Sequence, residues 1–346
     1  MNKMKKNLKL VLLLFAGITF LASCTKTTSS LTGDWKTQAS FQGLGRNGAV
    51  VFVIGTKAYV GTGYNRDNNK WLNDFWVYDA VKNNWTLIAP FPGVGRVNGV
   101  AFAANGKGYV GSGYDGVGIR NVSDFYSYDP TANAWTQIAN LPGPTRRGAV
   151  SFSVNNVGYV GTGLSTDTTG ITNGLGDFYA YNAGTNVWNA VSGYPGLKVY
   201  NAFSFVINNI AYVGGGAANS TSNNQFFQYN AAADTWIKKA RLDSNNAAVP
   251  RYSCAAFSQN NLGYIANGTG SQSFGTCFEY TPSNDTWNQK NNFEGAGRYD
   301  CISFSMPTGL TGSYTSFVGL GTQGASSTPF YDLWSWSPTV ARIDNN

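Results

Sequence analysis

Across 346 residues the chain carries 24 Lys and Arg, 17 Asp and Glu, 42 Gly, 15% aromatic residues and no histidine. Without an imidazole, serine triads of the usual kind and His-ligated zinc or copper sites cannot be assembled. The formal charge of +7 falls to +3 when residues 1–23 are set aside, because that stretch holds Lys3, Lys5, Lys6 and Lys9 and no acid; such an ordinary surface argues against a nucleic acid partner.

In chain order, the first element is an apolar run from Leu10 to Leu21 behind those lysines, too short to span a bilayer comfortably. Leu21-Ala22-Ser23-Cys24 follows at once and resembles a bacterial lipobox, whose cysteine is acylated and becomes the mature N-terminus. The resemblance implies a signal peptide over 1–23, lipidation at Cys24 and a place in the bacterial cell envelope, at the outer membrane. Several acyl chains on one residue anchor a protein stably, where one would not. Residues 24–33, rich in Thr and Ser, read as the lipidated Cys and a tether, of which 25–32 reach at most ~28 Å when extended.

From Arg46 onward the chain repeats. Arg46, Phe52, Tyr59-Val60-Gly61-Thr62-Gly63, Asp74-Phe75-Trp76-Val77-Tyr78-Asp79 and Trp85 return as Arg96, Phe102, Tyr109-Val110-Gly111-Ser112-Gly113, Asp124-Phe125-Tyr126-Ser127-Tyr128-Asp129 and Trp135. The step from Tyr to Trp is seven residues in all five copies, ending at Trp85, Trp135, Trp188, Trp236 and Trp287. Each copy holds four short apolar runs separated by Gly, Asn and Asp, which predicts four antiparallel strands. A unit of roughly 50 residues cannot bury both faces of such a sheet alone, so the copies stack radially into an all-β propeller. The last copy, from Arg298, reaches Trp336 and lacks a fourth strand, whereas Asp34-Trp35-Lys36-Thr37 is a fourth strand with no blade before it. Together they make a sixth blade, closed by the N-terminal strand, in a single propeller over 34–338 with a tail over 339–346. Closure of this kind removes sheet edges.

Within the innermost strand, large residues (Val50 and Phe52, Phe203 and Phe205) alternate with small ones (Ala49 and Val51, Ala202 and Ser204), so each blade offers a large face to one neighbour and a small face to the other. Cys254 and Cys301 fall at small positions about one sheet spacing apart, beyond disulfide reach, and Cys277 falls at a core position; all three read as free thiols.

The Arg, the glycines after an apolar strand, the Tyr-Asp step and the later Trp resemble the kelch family over about 34–338. The departure is Gly-Thr-Gly or Gly-Ser-Gly in the first three copies, where kelch blades carry adjacent glycines; Gly214-Gly215-Gly216 keeps the pair. The resemblance implies a six-bladed propeller. It leaves open a binding module for a glycan or protein partner, an enzyme similar to the kelch-type sialic acid mutarotases, or a structural envelope component.

No pair of carboxylates has a spacing that argues for acid–base catalysis, and Asp74, Asp124, Asp177 and Asp332, which recur at one position, read as turn and strand-end residues. No catalytic residue, metal ligand or cofactor site is assigned. A binding site is expected on the side where the long loops 64–73, 114–123, 164–176, 217–224, 269–275 and 322–331 emerge. The start of each innermost strand lies there, so Arg46, Arg96, Arg146, Arg251 and Arg298 are expected to ring the channel mouth, with Tyr200, Tyr252, Tyr299 and Trp71 as aromatic platforms. Guanidinium groups hold carboxylates bidentately and aromatic rings cover sugar faces, which points to an acidic glycan or peptide.

Overall fold

The seven-residue step from Tyr to Trp is a register. In each of the first five blades the Tyr of the third strand lies directly opposite the Trp of the fourth, as in Tyr78 with Trp85 and Tyr280 with Trp287. The hairpin between them is held at its start: Asp79 accepts from the amides of Val81 and Lys82 at 3.1 Å, and Tyr78 donates to Asn83 at 2.8 Å. The Trp side chain then reaches out of its blade. Trp85, Trp135, Trp188 and Trp236 each donate from Nε1 to a backbone carbonyl of the segment that leaves the preceding blade, at 2.9–3.0 Å.

The computed structural model describes residues 31–166, 169–242, 250–270, 275–308 and 313–342. The expected signal peptide, the expected lipidation at Cys24 and the expected tether up to residue 30 fall outside the described residues, as does the tail from 343. The described chain forms six four-stranded antiparallel sheets. In the first, Val50–Ile54, Lys57–Gly61, Phe75–Asp79 and Asn84–Ile88 pair in that order from the axis outward, and four more sheets repeat it. The sixth contains Ile302–Pro307, Tyr314–Gly319 and Leu333–Ala341, with Thr32–Thr37 as its outermost strand. Trp35 stands opposite Trp336, their ring centroids 4.5 Å apart, and meets Phe293 edge-on at 4.9 Å. The outermost strand and the strand it pairs with run slightly beyond the expected 34–338, because a register shift at Gly33, whose φ is 114°, lets Thr32 pair with Ala341.

Large residues enter small ones between blades. Phe52 stacks on Tyr59 of its own blade at 5.0 Å and passes so close to the next blade that a Cβ at Gly108 would lie 2.1 Å from its ring. Phe102 meets Gly158 and Phe205 meets Gly263 in the same way, which explains glycine at those strand positions. Of the three described cysteines, all free, Cys254 packs against the cluster holding Phe203 and Phe205, and Cys301 against the one holding Phe257. Their side chains serve different inter-blade seams, and burial pushes each thiol up to about 12.

A closed belt of backbone hydrogen bonds joins the innermost strands where they begin. The amide of Asn98 donates to Gly48, Gly148 to Asn98, Asn201 to Gly148, Ser253 to Asn201, Asp300 to Ser253 and Gly48 to Asp300, all at 2.7–3.0 Å. Each of the six has φ between 50° and 62°. These positions read Gly, Asn, Gly, Asn, Ser and Asp, small or short polar residues that take such a φ at less cost than bulky or β-branched ones.

Candidate functional site at the channel mouth

The five arginines expected at the mouth are instead fully buried, at 0% exposure. Arg46 lies against Asp74 bidentately, Nη1 to Oδ1 at 2.7 Å and Nη2 to Oδ2 at 2.8 Å, and also donates to the carbonyl of Thr62 at 3.0 Å. Arg96 with Asp124, Arg146 with Asp177 and Arg298 with Asp332 repeat the fork. The guanidiniums also face aromatic rings, Arg46 over Phe41 at 4.8 Å and Arg96 over Phe91 at 4.7 Å. The recurrent aspartates are therefore anionic partners rather than turn residues. Desolvation pushes Asp74 up, but the hydrogen bonds and charge of Arg46 outweigh it and hold the carboxyl below its usual range; Asp124 and Asp177 have an aromatic neighbour, Tyr126 and Tyr179, as Asp74 has Trp76. In the fifth blade Thr276 replaces the aspartate, and Arg251 donates to the carbonyl of Asn267 and to Thr276 Oγ1, at 2.9 and 3.0 Å. The expectation of a ligand-facing arginine ring is thus corrected: pairing within each blade consumes the guanidinium groups.

The residue after each buried position comes next, one per blade: Asn47, Val97, Arg147, Tyr200, Tyr252 and Tyr299, all partly exposed at the mouth except Val97, which is buried. Each forms a β-bridge to the start of its long loop, pairing respectively with Tyr64, Tyr114, Leu164, Ala217, Thr269 and Thr322. In the first four blades that loop is a two-stranded ribbon, whereas most of the fifth lies outside the described residues. The predicted tyrosines therefore stand together on the side of blades four to six, half-buried. Trp71 sits across from them in the first ribbon. It packs on Tyr64 at 4.7 Å and on Tyr114 of the next blade at 5.6 Å, over Gly116, where any Cβ would strike its ring.

Residues that the repeat analysis passed over complete the mouth. Arg147 lies over Tyr114 at 4.9 Å and donates from Nη1 to Asn121 at 3.1 Å, its Nε and Nη2 having no protein acceptor among the described residues. Arg66 reaches from the first ribbon to the carbonyl of Ala325 in the last long loop. Desolvation pushes the Asp300 carboxyl up, while hydrogen bonds from Ser253 and Asn47 pull the other way. Tyr299 is raised by burial, then by Asp300 and Tyr252, against the charge of Arg66. Asp300 does not meet Arg298, which is locked onto Asp332. The legible signal for Arg147 was its doubling: it follows Arg146 directly, a charge no other repeat carries there.

A family profile described as the kelch motif matches residues 45–92, the first blade with the segment that leads into it. The chain is a six-bladed β-propeller that carries a kelch motif in its first blade. Its fold is similar to the solved structure of YjhT, which aligns over 86% of this chain and 95% of that one with a TM-score of 0.72 at 16% identity, a likeness of fold alone. No curated protein sequence matches it.

The departures from the kelch pattern have a backbone cause. The residue before the last glycine of this step takes a left-handed φ in every blade: 63° at Gly215, but also 57° at Thr62, 58° at Ser112, 59° at Thr162, 62° at Asn267, which follows Ala266, and 57° at Leu320. The kelch glycine is thus replaced while its conformation is retained. Below the mouth, the innermost strands enclose a channel cavity of about 240 Å³, whose wall includes Ala49, Gly99, Ala149, Ala202, Cys254 and Cys301. Ser151, Ser204 and Ser303 line it too, with their hydroxyls bonded to carbonyls of the preceding blade. That lining offers a ligand little to recognise. Among the described residues, no group of three Cys, Asp or Glu is arranged to hold a metal ion.

Proposed function

We propose that this kelch propeller is a binding module of the bacterial cell envelope, held by an acylated Cys24, and that it recognises a carboxylate-bearing glycan or peptide at the ribbon-side mouth. The observation that carries this reading is the asymmetry of the mouth ring, with Arg147 in blade three and Tyr200, Tyr252 and Tyr299 in blades four to six. Belt residues are one hydrogen bond apart, so opposite members lie roughly 10 Å from each other, a span that one or two sugar rings fill. Arg147 brings uncommitted N–H groups to a carboxylate, the tyrosines cover an apolar sugar face, and Asp300 and Asn47 meet hydroxyls.

N-acetylneuraminic acid, titrated calorimetrically against the full chain, is the probe, with its methyl ester as control. Saturable binding is expected, weakened at least tenfold in Arg147→Ala and Tyr252→Ala, with the ester binding the wild type no better than the acid binds Arg147→Ala. An ester that binds the wild type as tightly as the acid would sink the carboxylate reading.

A second reading, anomer exchange like that of the kelch-type sialic acid mutarotases, is favoured by Asp300, whose raised carboxyl lies beside Tyr299 and can hold a proton nearer neutrality than an ordinary aspartate. Faster exchange of the sugar's anomers with the wild type but not with Asp300→Asn would select it over simple binding. A chain that neither binds nor exchanges the sugar leaves the structural envelope role.

A further inference from the structure

The face opposite the mouth breaks the six-fold pattern. In the first five blades the two innermost strands are joined by tight turns, such as Asn208-Asn209 and Asn260-Asn261, both residues of each with φ between 50° and 61°. In the sixth blade the corresponding strands are a residue longer, and Pro307 pairs with Tyr314 beyond the level where the others turn. This taller hairpin walls a cleft of about 600 Å³ between blades four, five and six, within the range of small-molecule sites. Asn208, Ser258, Gln259, Asn260, Asn261 and Tyr314 line it, and among the described residues no lining residue is charged.

Gln259 is the residue that marks this cleft as a site. It occupies the strand position held by Ile54, Ala104, Val154, Ile207 and Met306 in the other blades, an apolar slot, and is only 7% exposed. Its Oε1 accepts from the backbone amide of Ser316 at 3.2 Å and from the Ser316 hydroxyl at 2.8 Å. A backbone amide can only donate, so the orientation of the carboxamide is set and Nε2 is the free end. That Nε2 has no protein acceptor among the described residues, yet it is not sealed from solvent, and Gln259 lines the cleft. A donor nine-tenths buried is thus held ready for an acceptor arriving from outside.

We infer that this cleft binds an uncharged, acetamido-bearing sugar. Nε2 of Gln259 meets a carbonyl oxygen, the carboxamides of Asn208, Asn260 and Asn261 offer donors and acceptors to hydroxyls, and the ring of Tyr314, 47% exposed, covers a sugar face. The absence of charge rejects the acidic ligand proposed for the mouth, since a buried carboxylate would find no counter-charge here.

Tri-N-acetylchitotriose, titrated calorimetrically against the full chain, is the test. Gln259→Glu keeps an acceptor for Ser316 but turns the free donor into an acceptor, and Asn260→Gly removes a carboxamide while keeping the left-handed turn. Saturable binding is expected, with Kd raised at least tenfold in both variants and unchanged in Tyr252→Ala at the mouth. Tyr314→Ala, on the surface, carries the same expectation if Gln259→Glu fails to fold. Absence of saturable binding, binding that survives these variants, or equal loss in Tyr252→Ala would each overturn the assignment. None of these outcomes bears on recognition of a carboxylate at the other face.

Discussion

Thr62 holds a φ of 57° with its hydroxyl buried and unpartnered. A β-branched residue in that region stores on the order of 1–3 kcal/mol of strain, and the buried hydroxyl adds a desolvation cost. Glycine removes both, at a cost of roughly 0.5–1 kcal/mol in unfolded-chain entropy. Thr62→Gly is therefore expected to raise the melting temperature, by about 1 kcal/mol of stability. Ser112→Gly should gain less, because the Ser112 hydroxyl donates to the carbonyl of Arg146 at 2.6 Å. Calorimetric melting of the two variants checks the order, and a destabilised Thr62→Gly would refute the strain. The departure from adjacent glycines was legible in the sequence, but its conformation was not. The arginines failed differently. Their aspartate partners lie 28 residues on in the first two blades but 31 and 34 in the third and sixth, because the intervening long loops vary in length. No constant spacing advertised the pair, and a recurrent Asp beside a loop looked like a turn residue.

The closing strand, by contrast, could be read directly, since a fourth-strand Trp without a blade and a blade without its fourth strand can only complete each other. Trp35 is buried to 0% between Trp336 and Phe293, and its amide donates to Glu294 of the preceding blade at 3.3 Å. Asn291 adds a second stitch, from Nδ2 to the carbonyl of Gly33 at 2.7 Å. Trp35→Ala is expected to cost about 3 to 5 kcal/mol, as for other core aromatics. Trp35→Phe should cost far less, since its indole N–H has no acceptor to lose, whereas Trp85→Phe forfeits a bond to the carbonyl of Ala39. Denaturant melts of the three variants decide this, and a Trp35→Ala chain as stable as the wild type would mean that the ring is held elsewhere. The ribbons were visible only as loops of uneven length. With two or three residues per strand they carry no periodicity to detect, and their pairing follows from bridges to the innermost strands.

Three Arg–Asp forks, in blades one, three and six, give the ring a common response to acid. Asp74, Asp177 and Asp332 are held below their usual range, each by its arginine against the pull of desolvation. A carboxyl lowered on folding contributes stability that is complete above the unfolded value of about 3.9 and is lost as pH falls through the folded value. Asp300 has the opposite sign: raised on folding, it favours the folded chain below the unfolded value, and that contribution is lost as pH rises through the folded value. The forks outnumber it, so the melting temperature is expected to hold between about pH 5 and 7 and to drop steeply below about pH 4. Asp74→Asn should lower stability at neutral pH, leaving Arg46 buried without its counter-charge, yet show a shallower acid limb, because one fewer proton is taken up on unfolding. An acid limb as steep as that of the wild type would remove this fork from the account.

The belt beneath the mouth runs in one rotational sense, each blade donating to the one before it until the first donates to the last. Its six amide dipoles therefore lie along the circumference and cancel around the ring, unlike those of a helix, whose dipoles add along one axis. The scaffold consequently projects almost no field of its own down the channel, and the sign of what it attracts is left to the few side chains at the rim. Exchanging Arg147 for an acid would then reverse the preference of the mouth without disturbing the frame that supports it.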